Sequence, residues 1–287
     1  MSRFVPAFSY NTLVSSRELA RHLNDPGWVI VDCRHELANP DAGEHAYRAA
    51  HLPGAVFLHL DRDLSGTKNG RNGRHPLPEI ATLAATLGRA GIGASTQVVC
   101  YDQNSGAWAA RLWWLLHWLG HDAVAVLDGG LDRWVAEGRP LASDEPTVRA
   151  ATFVPSEPAP TASADEILRH LDDGALLVLD ARAAERYRGD AEPIDPVAGH
   201  IPGARNRPYT ENLDAQGAFK PAAQLRSEFE AALGGVAPSA VVHQCGSGVT
   251  SCHNALAMAV AGLPASRLYP GSWSEWVADP SRPVAIG

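Results

Sequence analysis

Short runs of consecutive apolar residues alternate along the chain with longer stretches in which apolar residues recur every three or four positions. The first pattern is typical of strands covered on both faces of a parallel sheet, and the second is typical of amphipathic helices. Strands are predicted at 29–32, 98–101, 124–127, 176–180, 240–243 and 267–269. Helices are predicted at 16–23, 79–90, 107–119, 163–171, 222–233 and 254–261. The alternation predicts an α/β fold of mostly parallel sheets flanked by helices.

The two halves of the chain carry the same short signatures in the same order. An Asp-x-Arg segment occurs at Asp32–Arg34 and again at Asp180–Arg182. A His-x-Pro-Gly-Ala segment occurs at His51–Ala55 and again at His200–Ala204. The period is far longer than the roughly 20 to 50 residues of a solenoid repeat, and it indicates duplication of a whole domain.

A proline-rich segment separates the two halves. The stretch 140–162 combines several prolines with Ser, Thr and Glu, which is typical of an extended connector. The chain of 287 residues is long enough for two domains of ordinary size. We therefore predict a first domain at 1–140, a linker at 141–161 and a second domain at 162–287.

Composition and charge exclude several classes of partner. The formal net charge is −8 and no basic stripe is present, so a nucleic-acid partner has no electrostatic basis. Residues 1–6 lack the apolar core of a signal peptide, and the richest apolar stretch, 107–119, is interrupted by Arg111 and His117. The 4 cysteines are too few for a disulfide framework in two domains. We expect a soluble, cytoplasmic protein with neither a nucleic-acid nor a membrane partner.

One cysteine has the sequence setting of a nucleophile. Cys245 directly follows a predicted strand and opens the loop Cys245–Thr250, beyond which a helix is predicted. Ligands of open α/β sheets bind at this edge, and Gly246 and Gly248 allow the backbone to curl around the sulfur. The amides that open the next helix point at its negative charge. The setting predicts a reactive thiolate that needs no metal and no cofactor.

Other interpretations of this loop fit less well. A cysteine that is only a small buried hydrophobe leaves the two neighbouring glycines unexplained. A dinucleotide-binding fingerprint needs a third glycine where Ser251 stands. A cysteine phosphatase needs an arginine to close the loop on phosphate, and 249–254 contains none. Zinc ligation is disfavoured because no common zinc motif has the spacing of the candidate ligands His243, Cys245, Cys252 and His253.

The duplicated segments, the loop sequence CGSGVT at 245–250 and the Gly-x-x-x-x-Trp segments that end at Trp134 and Trp276 resemble the two-domain rhodanese-like sulfurtransferases. The resemblance implies two tandem rhodanese-like domains. The amino-terminal domain would be non-catalytic, with Asp102 at the cysteine position. In the carboxy-terminal domain Cys245 would take up a sulfane sulfur as a persulfide. It would then pass the sulfur to cyanide or to a thiol acceptor such as thioredoxin or glutathione.

The loop also bears on the sulfur donor. Within the family, CGSGVT resembles the 3-mercaptopyruvate type, whereas thiosulfate-preferring members tend to have cationic side chains at the positions of Gly246 and Ser247. A loop without such cations offers little to neutralise a dianion such as thiosulfate. The loop therefore favours the hypothesis that the chain resembles a 3-mercaptopyruvate sulfurtransferase. Two alternatives stay open, a thiosulfate:cyanide sulfurtransferase and a persulfide carrier or redox-sensing module that delivers sulfur to a protein partner.

Further site residues follow from the resemblance alone. It implies that Ser247 works with His75 and Asp61 to polarise the donor and supply a proton. It also places Arg186 on the donor carboxylate, which suits the planar guanidinium. A second arginine of the family pattern is absent from 191–196, and Arg188 is the expected substitute. The predicted substrate-binding residues are Arg186, Arg188, Gly246, Gly248, Val249 and Thr250.

Overall fold

The computed structural model describes residues 10–287 and divides them into two compact units. Residues 1–9, which include the segment used for the prediction about a signal peptide, lie outside the described part. The first unit comprises the described residues up to Ser65 together with Pro78–Ala159 and Ala215–Ala218. The second unit comprises Gly66–Leu77, Pro160–Asp214 and Phe219–Gly287. A short segment from each half of the sequence is assigned to the unit formed mainly by the other half. The predicted domain boundaries at 140 and 162 therefore stay a prediction.

The first unit contains a five-stranded sheet in the order β1-β5-β4-β2-β3. Every pair of neighbouring strands in it is parallel. The strands are β1 (Leu13–Val14), β2 (Trp28–Asp32), β3 (Val56–Phe57), β4 (Gln97–Tyr101) and β5 (Val124–Leu127). The helices are α1 (Ser16–Leu19), α2 (Ala42–Ala49), α3 (Ile80–Arg89), α4 (Ala109–Trp118) and α5 (Gly130–Ala136).

The second unit repeats this arrangement with a four-stranded parallel sheet in the order β7-β6-β8-β9. The strands are β6 (Leu177–Asp180), β7 (Arg205–Asn206), β8 (Val241–Gln244) and β9 (Arg267–Leu268). The helices are α6 (Ala164–Arg169), α7 (Ala184–Arg188), α8 (Ala222–Leu233), α9 (Thr250–Val260) and α10 (Ser272–Trp276). Two short 3-10 helices occupy Tyr209–Asn212 and Pro238–Ala240. The predicted α/β class with parallel sheets is confirmed in both units.

The observed elements differ from the predicted ones mainly at their ends. Helix α1 ends at Leu19, because the N–H groups of Arg21 and His22 bond three residues back and form turns. Helix α9 begins at Thr250, four residues before the predicted start at Asn254. The helices α2, α5, α7 and α10 and the two-residue strands β1, β3 and β7 were not predicted, since each is too short to show a clear periodicity.

The duplicated motifs hold the chain together in the same way in both units. Arg34 binds the Asp32 carboxylate and donates to the carbonyl of Ala50 at 2.7 Å. Arg182 binds Asp180 and donates to the carbonyl of Gly199, also at 2.7 Å. Each arginine therefore ties the end of a central strand to the residue that precedes the His-x-Pro-Gly segment. Both ion pairs are buried, so the repeats are structural elements of the fold.

Each unit has its own apolar core on one face of its sheet. Equivalent positions fill the two cores, with a tryptophan that is fully buried in each, Trp134 and Trp276. The indole N–H groups of these residues donate to the carbonyls of Pro140 and Pro283. Because a buried indole needs a partner, each unit binds the segment that follows its last helix. Among the helices of residues 10–287, none combines the length and apolar character needed to cross a membrane.

Candidate active site

Cys245 lies in the second unit, directly after β8 and five residues before the start of α9. Its side chain is buried, and its loop is held from outside by α10. The N–H groups of Trp273 and Ser274 donate to the carbonyls of Cys245 and Gly246, each at 3.0 Å. The N–H of Ser247 lies 3.5 Å from the Cys245 sulfur and donates to it. The loop therefore curls around the sulfur as the sequence predicted.

Gly248 is required by the close approach of another segment. Its φ is +75°, and a Cβ at this position would lie 2.2 Å from the carbonyl oxygen of Pro270. No side chain fits there, and L residues rarely adopt this conformation. Packing against Pro270 therefore requires glycine at position 248, in addition to the curvature of the loop.

Ser272, at the start of α10, fixes the backbone of Cys245. Its φ is +53°, which is unusual for a residue other than glycine and costs about 1 kcal/mol or more. The Ser272 hydroxyl accepts the N–H of Cys245 at 3.1 Å and donates to the carbonyl of Tyr269 at 3.0 Å. A strained serine that binds the cysteine backbone indicates a constraint on the site rather than on the core.

The environment of Cys245 favours its thiolate. Burial raises the pKa of the Cys245 thiol, but hydrogen bonds from Thr250 and from the amides of Ser247 and Ser251 outweigh burial, so the pKa lies below its ordinary value. Burial raises the pKa of Cys33 and Cys100 well above that value, and the backbone hydrogen bonds that lower the pKa of Cys100 do not offset its burial. Since the thiolate is the nucleophilic form, Cys245 is chemically distinct from these two buried cysteines.

Two of the predicted residues meet beside this loop. Nδ1 of His75 lies 2.8 Å from the hydroxyl oxygen of Ser247, and both side chains are buried. The segment 66–77 that carries His75 belongs to the second unit, although it lies in the first half of the sequence. The pair joins an imidazole to a hydroxyl of the Cys245 loop, which is an arrangement that general acid-base chemistry can use.

Two guanidinium groups lie against Gly246. A Cβ at this position would be 2.8 Å from Nη2 of Arg74 and 3.5 Å from Nη1 of Arg186. Arg186 was a predicted substrate-binding residue, whereas Arg74 was not. Both cations have acidic partners in the segment that follows α7, namely Asp195 for both and Glu192 for Arg186. Gly246 has no side chain of its own, but guanidinium and carboxylate groups from other segments lie close to it.

Comparison with known proteins finds matches to both halves of the chain. Residues 15–137 and 163–279 each match the rhodanese-like domain. The chain belongs to the rhodanese family. It is 48% identical to a probable 3-mercaptopyruvate sulfurtransferase of Pseudomonas aeruginosa, with 96% of this chain and 98% of that protein covered. It is 40% identical to a putative thiosulfate sulfurtransferase of Mycobacterium tuberculosis, with 96% and 97% covered.

The fold of this rhodanese-family chain also matches a solved structure, that of 3-mercaptopyruvate sulfurtransferase from Leishmania major. The TM-score is 0.82 at 32% identity, and the match covers 95% of this chain and 75% of the other. The prediction of two tandem rhodanese-like domains is confirmed, and so is the prediction of a sulfurtransferase.

Arg188 lies away from the contacts that surround the rhodanese loop. Its side chain is 48% exposed, and Nε donates to Asp190 at 2.8 Å. The guanidinium that accompanies Arg186 at Gly246 is that of Arg74. Arg188 as a substrate-binding residue stays a prediction, and the structure offers Arg74 as a second candidate for the same role.

Asp61 lies in the first unit, where its carboxylate is 4.0 Å from Nε2 of His35. With His59 these residues form a group whose ligand atoms lie within 4.8 Å of one another, a spacing that could hold a metal ion. Both nitrogens of His59 already contact the backbone, at the N–H of Asp61 and the carbonyl of Pro40. Metal binding would cost the imidazole one of these contacts. The partnership of Asp61 with Ser247 and His75 stays a prediction.

Sequence reasoning missed three residues at this site. Ser272 was missed because positive φ is expected of glycine. Arg74 and Asp195 carried no signal, because isolated charges in polar loops are common and only folding brings these two together. One usable signal was the alignment of Gly271-Ser272 with Gly129-Gly130, which placed a serine where the other half has glycine.

Proposed function

We propose that this chain transfers a sulfane sulfur from 3-mercaptopyruvate, through a persulfide on Cys245, to a thiol acceptor or cyanide. The observation that carries the proposal is the Cys245 loop, with a buried sulfur, surrounding amides and a pKa held below the ordinary value. A sulfurtransferase of the rhodanese family needs a nucleophilic thiolate, and this loop supplies one.

In the proposed first step the Cys245 thiolate attacks the thiol sulfur of 3-mercaptopyruvate. The new S–S bond forms as the bond from sulfur to C3 breaks, and its electron pair goes to C3 to give the enolate of pyruvate. The thiol proton of the donor ends on C3, leaving pyruvate and a Cys245 persulfide anion. An acceptor thiolate or cyanide then attacks the outer sulfur and releases the Cys245 thiolate, so the cycle needs no external oxidant or reductant.

Ser247 and His75 are suited to move that proton. Their 2.8 Å contact links a hydroxyl in the nucleophile's own loop to an imidazole. The hydroxyl can take the donor proton while the imidazole carries it toward C3, which avoids a free enolate in water. Asp61 completes this relay in the proposal because the family resemblance implies it.

Arg186 is suited to bind the donor carboxylate. Its side chain is 16% exposed and lies beside Gly246, so a carboxylate at the loop can reach its fork. A guanidinium binds carboxylate through two parallel N–H donors, which fixes orientation as well as charge. In the proposal Arg188 and the backbone of Gly246, Gly248, Val249 and Thr250 line the same donor site.

The second candidate function is thiosulfate:cyanide sulfur transfer. It is favoured by the relative of Mycobacterium tuberculosis, whose name refers to thiosulfate. It is disfavoured by the loop itself, where Gly246 and Ser247 provide no cation for a second negative charge. A persulfide carrier or redox-sensing module uses the same Cys245 chemistry and would show slow turnover with small acceptors. A reducing cytoplasm with thioredoxin or glutathione fits all three.

The test is a steady-state comparison of the two donors with cyanide and with a thiol as acceptors. We expect kcat/KM for 3-mercaptopyruvate to exceed that for thiosulfate at least about tenfold, which corresponds to about 1.4 kcal/mol in transition-state stabilisation. Incubation with donor alone should add about 32 Da per chain, and peptide mapping should place the sulfur on Cys245.

Cys245→Ser is the matched control for the label and for turnover, because a hydroxyl cannot hold sulfane sulfur. It should show no added mass and no transfer. Preference for thiosulfate would replace the donor in this proposal, while sulfur on Cys33, Cys100 or Cys252 with Cys245 unmodified would overturn the mechanism.

A further inference from the structure

Asp195 lies between the two guanidinium groups at the rhodanese loop. One of its oxygens accepts from Nη1 of Arg74 and the other accepts from Nη2 of Arg186 at 3.2 Å. The Asp195 side chain is 3% exposed, whereas the Arg74 and Arg186 side chains are 27% and 16% exposed. The acid is thus buried behind the two cations, and the cations keep accessible surface.

The contacts of Asp195 with Arg74 and Arg186 lie beside the loop that carries Cys245. Nη2 of Arg74 is the atom nearest to the position of a Cβ on Gly246, one residue from Cys245. Asp195 itself is held by its own backbone, because its N–H donates to the carboxylate of Glu192 at 3.0 Å. In the part of the chain that the structure describes, the buried Nε of Arg74 has no hydrogen-bond partner. Arg74 therefore has one N–H group beside the loop that is available for a further hydrogen bond.

The local charge is balanced before any donor binds. The two positive charges of Arg74 and Arg186 face the two negative charges of Asp195 and Glu192. Arg182 reaches Glu192 as well, but it is paired with Asp180. Adding the Cys245 thiolate makes the site negative. Because Coulomb energy scales with the charge of the ligand, a dianionic donor meets about twice the opposing energy of a monoanionic one.

We propose that Asp195 determines the charge of the sulfur donor. It holds Arg74 and Arg186 at the loop and cancels part of their positive charge, so the site accepts a monoanionic 2-keto acid and disfavours a dianion. Arg74 and Arg186 come from segments distant in sequence, and Asp195 is the residue that binds both of them. This inference rests on the proposed sulfur transfer and adds the residue that selects among donors.

The first experiment compares Asp195→Asn with Asp173→Asn. The amide retains the size of the side chain and one acceptor oxygen, and it removes one negative charge. Asp173 lies in the same unit, and its partner is His170 at 2.7 Å, so its variant makes the same change of net charge away from the loop. We expect Asp195→Asn to raise the ratio of kcat/KM for thiosulfate to that for 3-mercaptopyruvate at least about fivefold, mainly through KM of thiosulfate. Asp173→Asn should leave the ratio within about twofold of wild type.

Arg74→Met provides a change of opposite sign. It removes a positive charge and leaves Asp195 less compensated, so the ratio should fall below that of wild type at least about threefold, with KM of both donors raised. Arg226→Met is its matched control, because the half-exposed Arg226 pairs with Glu230 on α8, and it should not move the ratio. An unchanged ratio in both Asp195→Asn and Arg74→Met, or equal shifts in the variants and their controls, would overturn the proposal.

A binding measurement separates this proposal from the proposed function. Alkylation of Cys245 by iodoacetamide is followed with sulfate as a dianion probe and pyruvate as a monoanion probe, so no turnover is required. Protection by pyruvate should exceed protection by sulfate in the wild-type protein, and Asp195→Asn should strengthen protection by sulfate. If neither donor supports turnover and this pattern still holds, the proposed reaction is wrong and charge selection stands. If turnover occurs and the pattern is absent, charge selection by Asp195 is wrong.

Discussion

The loops after β4 and β8 occupy equivalent places in the two units but carry different residues, Asp102 and Cys245. Asp102 is buried, and its carboxylate accepts N–H groups of Gly106, Trp108 and Ala109 at 2.9, 2.8 and 3.2 Å. The Cys245 sulfur likewise accepts a loop amide and lies in front of a helix. Both loops are therefore built to hold a negative charge at the end of a central strand.

The difference shows what the duplicated backbone does and what the side chain adds. Burial raises the pKa of Asp102 even against its amide hydrogen bonds, whereas hydrogen bonds lower the pKa of Cys245 despite burial. In the first unit the carboxylate satisfies the amides permanently and leaves no nucleophile. In the second unit the same kind of loop is completed by a sulfur that can form and break bonds.

A second difference lies in the segment that holds each loop. Gly130 and Ser272 both have positive φ, at +58° and +53°, and each is followed by an N–H that donates to the carbonyl of Asp102 or Cys245. The first unit uses the glycine that this conformation favours. The second uses a serine, and the strain is offset by a hydroxyl that accepts the Cys245 N–H.

The strongest test of this comparison makes the Cys245 loop a copy of the Asp102 loop. We expect Cys245→Asp to fold, because the loop amides can bind a carboxylate as they do around Asp102, and to lose sulfur transfer by at least about 10³-fold. Turnover and the thermal midpoint measure the two effects. A folded variant that keeps transfer would show that another group carries the sulfur.

The role of Ser272 is sharpened by Ser272→Gly against Ser272→Ala. Both variants lose the hydroxyl, but only glycine relieves the positive φ, so the alanine variant should be less stable by about 1 kcal/mol. Both should lower kcat/KM about tenfold and raise the midpoint pH of Cys245 alkylation, because the backbone that points amides at the sulfur is loosened. The measurements are thermal unfolding, donor kinetics and the pH profile of alkylation. Unchanged kinetics in both variants would assign Ser272 to packing alone.

Asp102→Ala should have the smallest effect on chemistry. Three amides lose their acceptor, and we expect about 2 kcal/mol of lost stability, since buried donors left unsatisfied cost about 1 to 3 kcal/mol each and part of this is offset by removal of a buried charge. The rate with 3-mercaptopyruvate should stay within about twofold of wild type. Loss of activity in a folded Asp102→Ala protein would contradict a purely structural role for the first loop.

Much of the fold could be predicted from the sequence because its signals are local. Apolar runs mark the buried strands and repeated motifs mark the duplication, while the strand, glycine and helix pattern around Cys245 predicts a nucleophile. Short elements such as α10, which has five residues, were missed because they are too short to show a helical period. The Asp-x-Arg motif was found, but its function as a tie between a strand end and a distant carbonyl needed coordinates.

The α/β class and the duplicated domains follow from the sequence alone, and so does the prediction of a reactive Cys245, since each depends on residues close together in the chain. Which side chains surround the sulfur is set by the folded structure. His75 meets Ser247 across 172 positions, and Arg74 meets Asp195 across 121. Such contacts leave no trace in local pattern, because isolated charged and polar residues in loops have the same propensities whether or not folding brings them to a site.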